Sequence, residues 1–178
     1  MTAPSIDPVA HHLNAMSDED ASEALARCCG SHRWVQAMVA ARPYASDAGL
    51  FRVADRTWWN LDPDDWLEAF THHPRIGERE AQEPQRPASA TEQRWSSGEQ
   101  AGMDQAGREV HDAMVEGNLE YEERFGHVFL ICATGRSGDE MLAALRARLG
   151  NDPAEELAVA AEEQAKITRL RLLKLVET

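Results

Sequence analysis

The feature that most constrains this chain is the isolation of its one β-like stretch, His127-Val128-Phe129-Leu130-Ile131-Cys132-Ala133. A lone strand has no partner, and even an isolated hairpin is marginal in water, so the segment reads as an extended buried connector rather than part of a sheet. The periodicity elsewhere is helical, which makes the expected fold all-α. At 178 residues and 19.8 kDa the chain fits a single compact domain that buries about 70% of the surface its unfolded form exposes.

Helix signals punctuate the rest. Ser17 precedes the acidic turn Asp18, Glu19, Asp20 and then Ala21, Ala24, Leu25 and Cys28 at helical spacing, with Gly30 as the stop. Ser31 caps a second helix that carries Trp34, Val35, Met38 and Val39 on one face, and Arg42-Pro43 ends it because Pro disfavours the α region in the residue before it. A third runs from Ser46 through Leu50, Val53, Ala54 and Trp58. Asp62-Pro63 opens a fourth with Trp66, Leu67 and Phe70 as its stripe. Ser96-Ser97-Gly98-Glu99 has capping-box spacing and predicts a helix start, followed by a longer helix through Val110, Met114, Leu119 and Tyr121 to Phe125-Gly126. Ser137-Gly138-Asp139-Glu140 is a second capping box, with Gly150 as the stop. Asp152-Pro153 begins the last helix, acidic early at Glu155, Glu156, Glu162 and Glu163 and basic late at Lys166, Arg169, Arg171 and Lys174, as its dipole favours.

These signals predict about eight helices without internal repeats. Residues 1–16 read as an N-terminal arm that drapes or frays, and 17–178 as the helical domain. Glu78 to Glu92, with Pro84 and Pro87 and no periodicity, reads as a mobile surface loop.

Charge narrows the function classes. Eighteen Lys and Arg against 31 Asp and Glu give a net charge of −13 and a pI near 4.9, so the surface repels polyanions and nucleic acid is not an expected partner. Lys166 and Lys174 are the only lysines, which leaves no Lys-rich patch for an anionic membrane. The longest apolar run, Val128 to Ala133, has six residues, and a spanning helix needs about 20. The N-terminus shows neither the basic start nor the apolar block of a secretory signal, so a cytoplasmic location is expected. Cys28, Cys29 and Cys132 are odd in number and contain no C-x-x-C, which argues against a disulfide scaffold or a zinc knuckle.

Chemistry concentrates at His72-His73-Pro74, where Pro stops a helix that carries two imidazoles at its C-terminal end. A helix C-terminus stabilises the protonated ring and suits it to proton donation near neutral pH. Both histidines also fit as plain surface residues. A zinc site is less well supported, since the neighbours point about 100° apart and no H-E-x-x-H spacing accompanies them. Glu99 has a complete structural explanation as the capping partner of Ser96. Arg169 and Arg171 differ by about 200° on their helix, so at most one enters a given pocket. Each fits as a solvated Arg, yet Arg171 shares a partly apolar face with Gln164, Ile167 and Leu175 and is a candidate anion clamp.

The ordered set His73-Pro74-Arg75-Ile76-Gly77, Ser96-x-x-Glu99-Gln100, Tyr121-x-x-Arg124-Phe125-Gly126, Phe129-Leu130-Ile131-Cys132-Ala133 and Lys166-Ile167-Thr168-Arg169-Leu170-Arg171-Leu172 resembles the 2-oxo-4-hydroxy-4-carboxy-5-ureidoimidazoline (OHCU) decarboxylases of urate breakdown. Five short motifs in order are far more specific than any one alone. The resemblance implies an all-helical carboxy-lyase without cofactor or metal, which takes a small-molecule substrate to (S)-allantoin and is often a homodimer. It implies that His73 is catalytic with Pro74 beside it at the substrate, and that Ser96, Glu99 and Gln100 bind substrate, with Glu99 also placed to hold the imidazole. The main chain of Phe129, Leu130, Ile131, Cys132 and Ala133 would line the pocket. Arg171 matches the pocket Arg and Arg169 its outward neighbour. A Pro-containing insertion between His73 and Glu99 means that no lid role carries over to Glu78–Glu92. Two other classes remain: a metal-dependent hydrolase using His72 or His73 with Glu78, and a non-enzymatic helical ligand-binding module.

Overall fold

Proline and serine open the first helices. The computed structural model describes residues 7–77, 90–99 and 101–177. Its first helix, α1 (Pro8–Asn14), has Pro at the first helical position, where the missing N–H costs nothing. Helices α2 (Asp18–Cys28), α3 (His32–Ala40) and α4 (Asp47–Trp59) follow Ser17, Ser31 and Ser46, whose side chains accept from the backbone N–H of Asp20, Trp34 and Gly49. Each hydroxyl satisfies a donor that a helix start leaves unpaired. The remaining helices are α5 (Pro63–Phe70), α6 (Ala90–Glu99), α7 (Ala101–Asp104), α8 (Arg108–Phe125), α9 (Gly138–Arg148) and α10 (Pro153–Lys174). Among the described residues there are ten helices and no strand, and no helix is long and apolar enough to cross a membrane.

One local expectation is corrected, and another gains detail. Within the stretch read as an arm that drapes or frays, Pro8–Asn14 form α1, whose Val9, Ala10 and Leu13 are buried. Val9 and Leu13 stand four apart and so share a face, and the Asp47 carboxylate accepts the Ala10 N–H at 2.7 Å. Ser96 does not start a helix, because α6 begins at Ala90 and contains Ser96, Ser97 and Gly98, with Glu99 as its last residue. Ala90 to Arg94 already favour helix, so the Ser-x-x-Glu spacing falls inside a helix where no cap is needed. Residues 90–92 of the loop expected over Glu78–Glu92 are helical, and residues 78–89 lie outside the described residues.

The chain divides into two compact units, one of Met1–Ala69 with Ala165–Thr178 and one of Phe70–Gln164. In the first, α1 packs on α4, α2 on α3 and α3 on α4, around Leu25, Trp34, Met38, Leu50 and Trp58. The Trp34 indole N–H donates to the Ala54 carbonyl at 3.2 Å, which lets a large ring be fully buried with its polar atom paired. Asn14 and the Tyr44 backbone exchange two bonds at 2.8 Å, and burial pushes the Tyr44 phenol up to about 12.

In the second unit α8 packs on α9 and α7 on both α6 and α9. The core holds Met103, Met114, Tyr121, Phe129, Met141 and Leu145. The reciprocal capping box of Ser137 and Glu140 is present at the start of α9, as predicted. Helix α8 ends at Gly126, whose φ of +78° is the left-handed cap that glycine adopts without a Cβ penalty. Beyond it the 127–133 segment is an irregular connector with Phe129, Leu130, Ile131 and Ala133 buried.

Candidate active site

His73 sits in the turn that leaves α5, its backbone N–H donating to the Phe70 carbonyl at 3.1 Å, and Pro74 prevents the helix from continuing. The ring Nε2 lies 2.7 Å from Oε1 of Gln164, an α10 side chain with no exposed surface. The following residues are pinned to α8. Arg75 donates from Nε and Nη2 to the two carboxylate oxygens of Glu122 at 2.5 and 2.7 Å, the bidentate geometry that fixes orientation as well as charge. Asn118 donates to the Ile76 carbonyl at 2.9 Å. Positions 118 and 122 are one helical turn apart, so one face of α8 holds both Arg75 and Ile76. Gly77 closes it with φ of +84°, and a Cβ there would stand 3.3 Å from Met103 Cε.

A buried ion pair fixes the connector. Arg148 donates to Glu156 Oε1 from Nε at 2.7 Å and to the Leu130 carbonyl from Nη1 at 2.7 Å, and its guanidinium lies 4.6 Å from the Phe129 ring centroid. Tyr121 and Asn151 also donate to Glu156, at 2.5 and 2.9 Å. Burial, followed by the bond to Glu156, raises the Tyr121 phenol well above its ordinary range. His127 packs edge-on to Tyr121 and against Phe70, and burial lowers its pKa, which favours the neutral ring. Farther along, the Cys132 N–H donates to Glu163 at 2.7 Å. One of the connector amides that the resemblance assigns to substrate is therefore engaged by a carboxylate of α10.

Within the first unit, Arg171 and Arg169 diverge as their spacing predicts. Arg171 is 5% exposed and its Nη1 donates to the Arg27 carbonyl at 3.4 Å, whereas exposed Arg169 stacks 4.2 Å from the Phe51 ring centroid. Burial pushes the thiol of Cys29 up to about 12, opposed in part by bonds to Ser31 and Thr168 and by the charge of Arg171. All three cysteines are free thiols.

The other predicted residues fall as follows. Glu99 is buried at the end of α6, where a carboxylate cannot cap a helix start. Ser96 lies in α6 with its side chain outside the described part, and Gln100 lies outside the described residues altogether. Pro74 is exposed and His72 half-buried. Among the described residues no group of three His, Cys, Asp or Glu side chains could hold a metal ion. Sequence reasoning missed Gln164, Glu163, Asn118, Glu122, Arg148 and Glu156 as holders of the turn and the connector. The available signal was weak: each Arg needs a partner, but 31 acidic residues compete for that role.

The class these features define is an all-helical protein with an imidazole braced at a helix end and a buried guanidinium on its last helix. The chain belongs to the OHCU decarboxylase family, whose model matches residues 14–173. It is 38% identical over 150 residues to the uric acid degradation bifunctional protein TTL of Arabidopsis thaliana, covering 83% of this chain and 45% of that protein. To the 2-oxo-4-hydroxy-4-carboxy-5-ureidoimidazoline decarboxylase of Amia calva it is 44% identical over 87 residues, covering 46% of this chain and 48% of the relative. The chain thus spans about half the length of these two curated relatives. Among solved structures, an OHCU decarboxylase determined in the presence of (S)-allantoin superposes with a TM-score of 0.73 at 33% identity, covering 92% of this chain and 100% of that one. An (S)-allantoin synthase structure, at 18% identity and a TM-score of 0.68 over 95% of this chain and 54% of its own, shares the fold.

Proposed function

We propose that this chain decarboxylates OHCU to (S)-allantoin in urate degradation. The observation that carries the reading is the likeness, at 33% identity, to the whole of an OHCU decarboxylase chain determined with (S)-allantoin present. The substrate needs no added electron sink. As the bond to the carboxyl carbon breaks, its electron pair enters the ring toward the adjacent C=N bond, carbon dioxide leaves, and an enol-like intermediate remains. A proton delivered to one face of the carbon that bears the ureido group, with the enol collapsing to a carbonyl as its hydroxyl proton passes to the ring nitrogen that took up the electron pair, gives one enantiomer.

His73 is the donor in this reading. Arg171 orients an anionic or carbonyl group, and Glu99 binds the hydroxyl or ureido side or orients His73, with Pro74, Ser96, Gln100 and the Phe129–Ala133 main chain completing the substrate contacts. A homodimer in the cytoplasm goes with this reading. The test generates OHCU in place from urate and follows the optical rotation of the allantoin formed. We expect acceleration and (S)-enrichment with the wild type, loss of both with His73→Ala, and a mild effect of His72→Ala. Saturable allantoin binding without acceleration would instead make the protein a binding module.

A further inference from the structure

We infer that Glu163 is a positioning residue: by holding the Cys132 N–H it sets the direction of the Ile131 carbonyl, so that the connector meets the substrate with its backbone already aimed. The inference rests on the decarboxylase reading and goes beyond it, since none of the motifs that carry the resemblance includes Glu163.

The Cys132 N–H donates to Glu163 Oε2 at 2.7 Å, and Glu163 is buried. A carboxylate acceptor makes such a bond shorter and stronger than one between neutral groups. The peptide unit that joins Ile131 to Cys132 is planar and trans, and in such a unit the C=O and the N–H point in opposite directions. With its N–H drawn to Glu163, the unit turns the Ile131 carbonyl away from that carboxylate. The unit before it is fixed in the same manner. Arg148 donates to the Leu130 carbonyl at 2.7 Å, which turns the Ile131 N–H away from the guanidinium. Both backbone groups of Ile131 thus have their directions set by bonds that its neighbours make. Together they offer one donor and one acceptor, the complement of an amide or ureido group, which carries N–H beside C=O. The downstream side is held as well, since Arg136 donates from Nε to the Cys132 carbonyl at 3.2 Å and from its backbone N–H to the Ala133 carbonyl at 3.0 Å. The connector belongs to no helix and no strand, so these bonds do the orienting that a ladder would do elsewhere.

The test compares Glu163→Gln, which keeps an acceptor oxygen, with Glu163→Leu, which has none, in the full chain. Without substrate, NMR hydrogen exchange at the Cys132 amide should be about tenfold faster in Glu163→Leu than in the wild type or Glu163→Gln, while core amides of α8 keep their rates. A Cys132 rate that does not rise, or rises no more than those of α8, would overturn the inference. In Glu163→Gln the Cys132 amide proton should move upfield, because a neutral acceptor replaces a charged one. That arm reads the bond even where Glu163→Leu does not fold, and an unmoved signal would count against the inference. With OHCU generated from urate, Glu163→Leu should raise KM about tenfold and leave kcat within about twofold, since the aimed backbone binds substrate and transition state alike. Glu163→Gln should stay within about threefold of the wild-type KM. A loss confined to kcat, or a Gln variant as impaired as the Leu variant, would also overturn it. The exchange and shift arms need no turnover, so they stand apart from the decarboxylase reading, which fails if the wild type does not accelerate (S)-allantoin formation.

Discussion

The two units differ in where their ion pairs lie. In Phe70–Gln164 a full ion pair lies inside, Arg148 with Glu156, whose side chains are 10% and 0% exposed. In the other unit the pair of Arg33 with Asp62 sits at the surface, buried Arg171 donates to the Arg27 carbonyl, and burial favours the neutral forms of Cys29 and Tyr44. Burying two charges is compensated only by good geometry and full hydrogen bonding, and Arg148 and Glu156 have both, with contacts from Tyr121, Asn151 and the Leu130 carbonyl. The unit that contains the His73 turn and the connector is tied by charged side chains from distant parts of the sequence.

Substitutions can break this contrast, and Glu156→Ala should have the largest effect. It leaves the Arg148 charge buried without its partner, which should cost about 3–5 kcal/mol in denaturant unfolding. A loss under about 1 kcal/mol would mean that the pair contributes no more than a surface bridge. Next is the alkaline limb. The Cys29 thiol ionises near 9.0 when exposed and near 12 when folded, so the stabilisation it provides is intact below pH 9 and is lost as pH rises above it. From pH 9 to 10 that loss approaches about 1.4 kcal/mol per pH unit, and Cys29→Ala should flatten the fall of unfolding free energy over the same range. An identical slope in the variant would show that Cys29 is not the group responsible. The smallest effect belongs to Asp62→Asn, which breaks a bridge whose side chains are 59% and 77% exposed. Its melting temperature should match the wild type in 0.15 M salt, and a clear drop would erase the contrast from the other side.

Legibility in the sequence follows the same division. Ser17, Ser31, Ser46 and Ser137 act within a few residues of themselves, and all four start helices as predicted. The opposite environments of Arg169 and Arg171 were also readable, because helix rotation is local geometry. Ser96 misled because a capping box and two residues one turn apart inside a helix have the same spacing, and only the backbone conformation separates them. Two prolines near the N-terminus masked α1, although one of them is its first residue. The braces of the site were not legible. Arg75 and Glu122 are 47 residues apart, and His73 and Gln164 are 91 apart. No periodicity encodes such pairs, so they become visible only when the chain is folded.

Gly77 draws three sulfur atoms into view. The turn it closes lies against Met103 and Met114, and Met141 belongs to the same core. All three methionines are almost wholly shielded from solvent. A thioether becomes polar when oxidised to the sulfoxide, so an oxidant reaching this cluster would roughen the packing beneath the turn. The reaction requires the unit to open first. Sulfoxide formation at Met103 and Met114 therefore acts as a chemical clock, counting every opening of the core beneath Gly77, local or global.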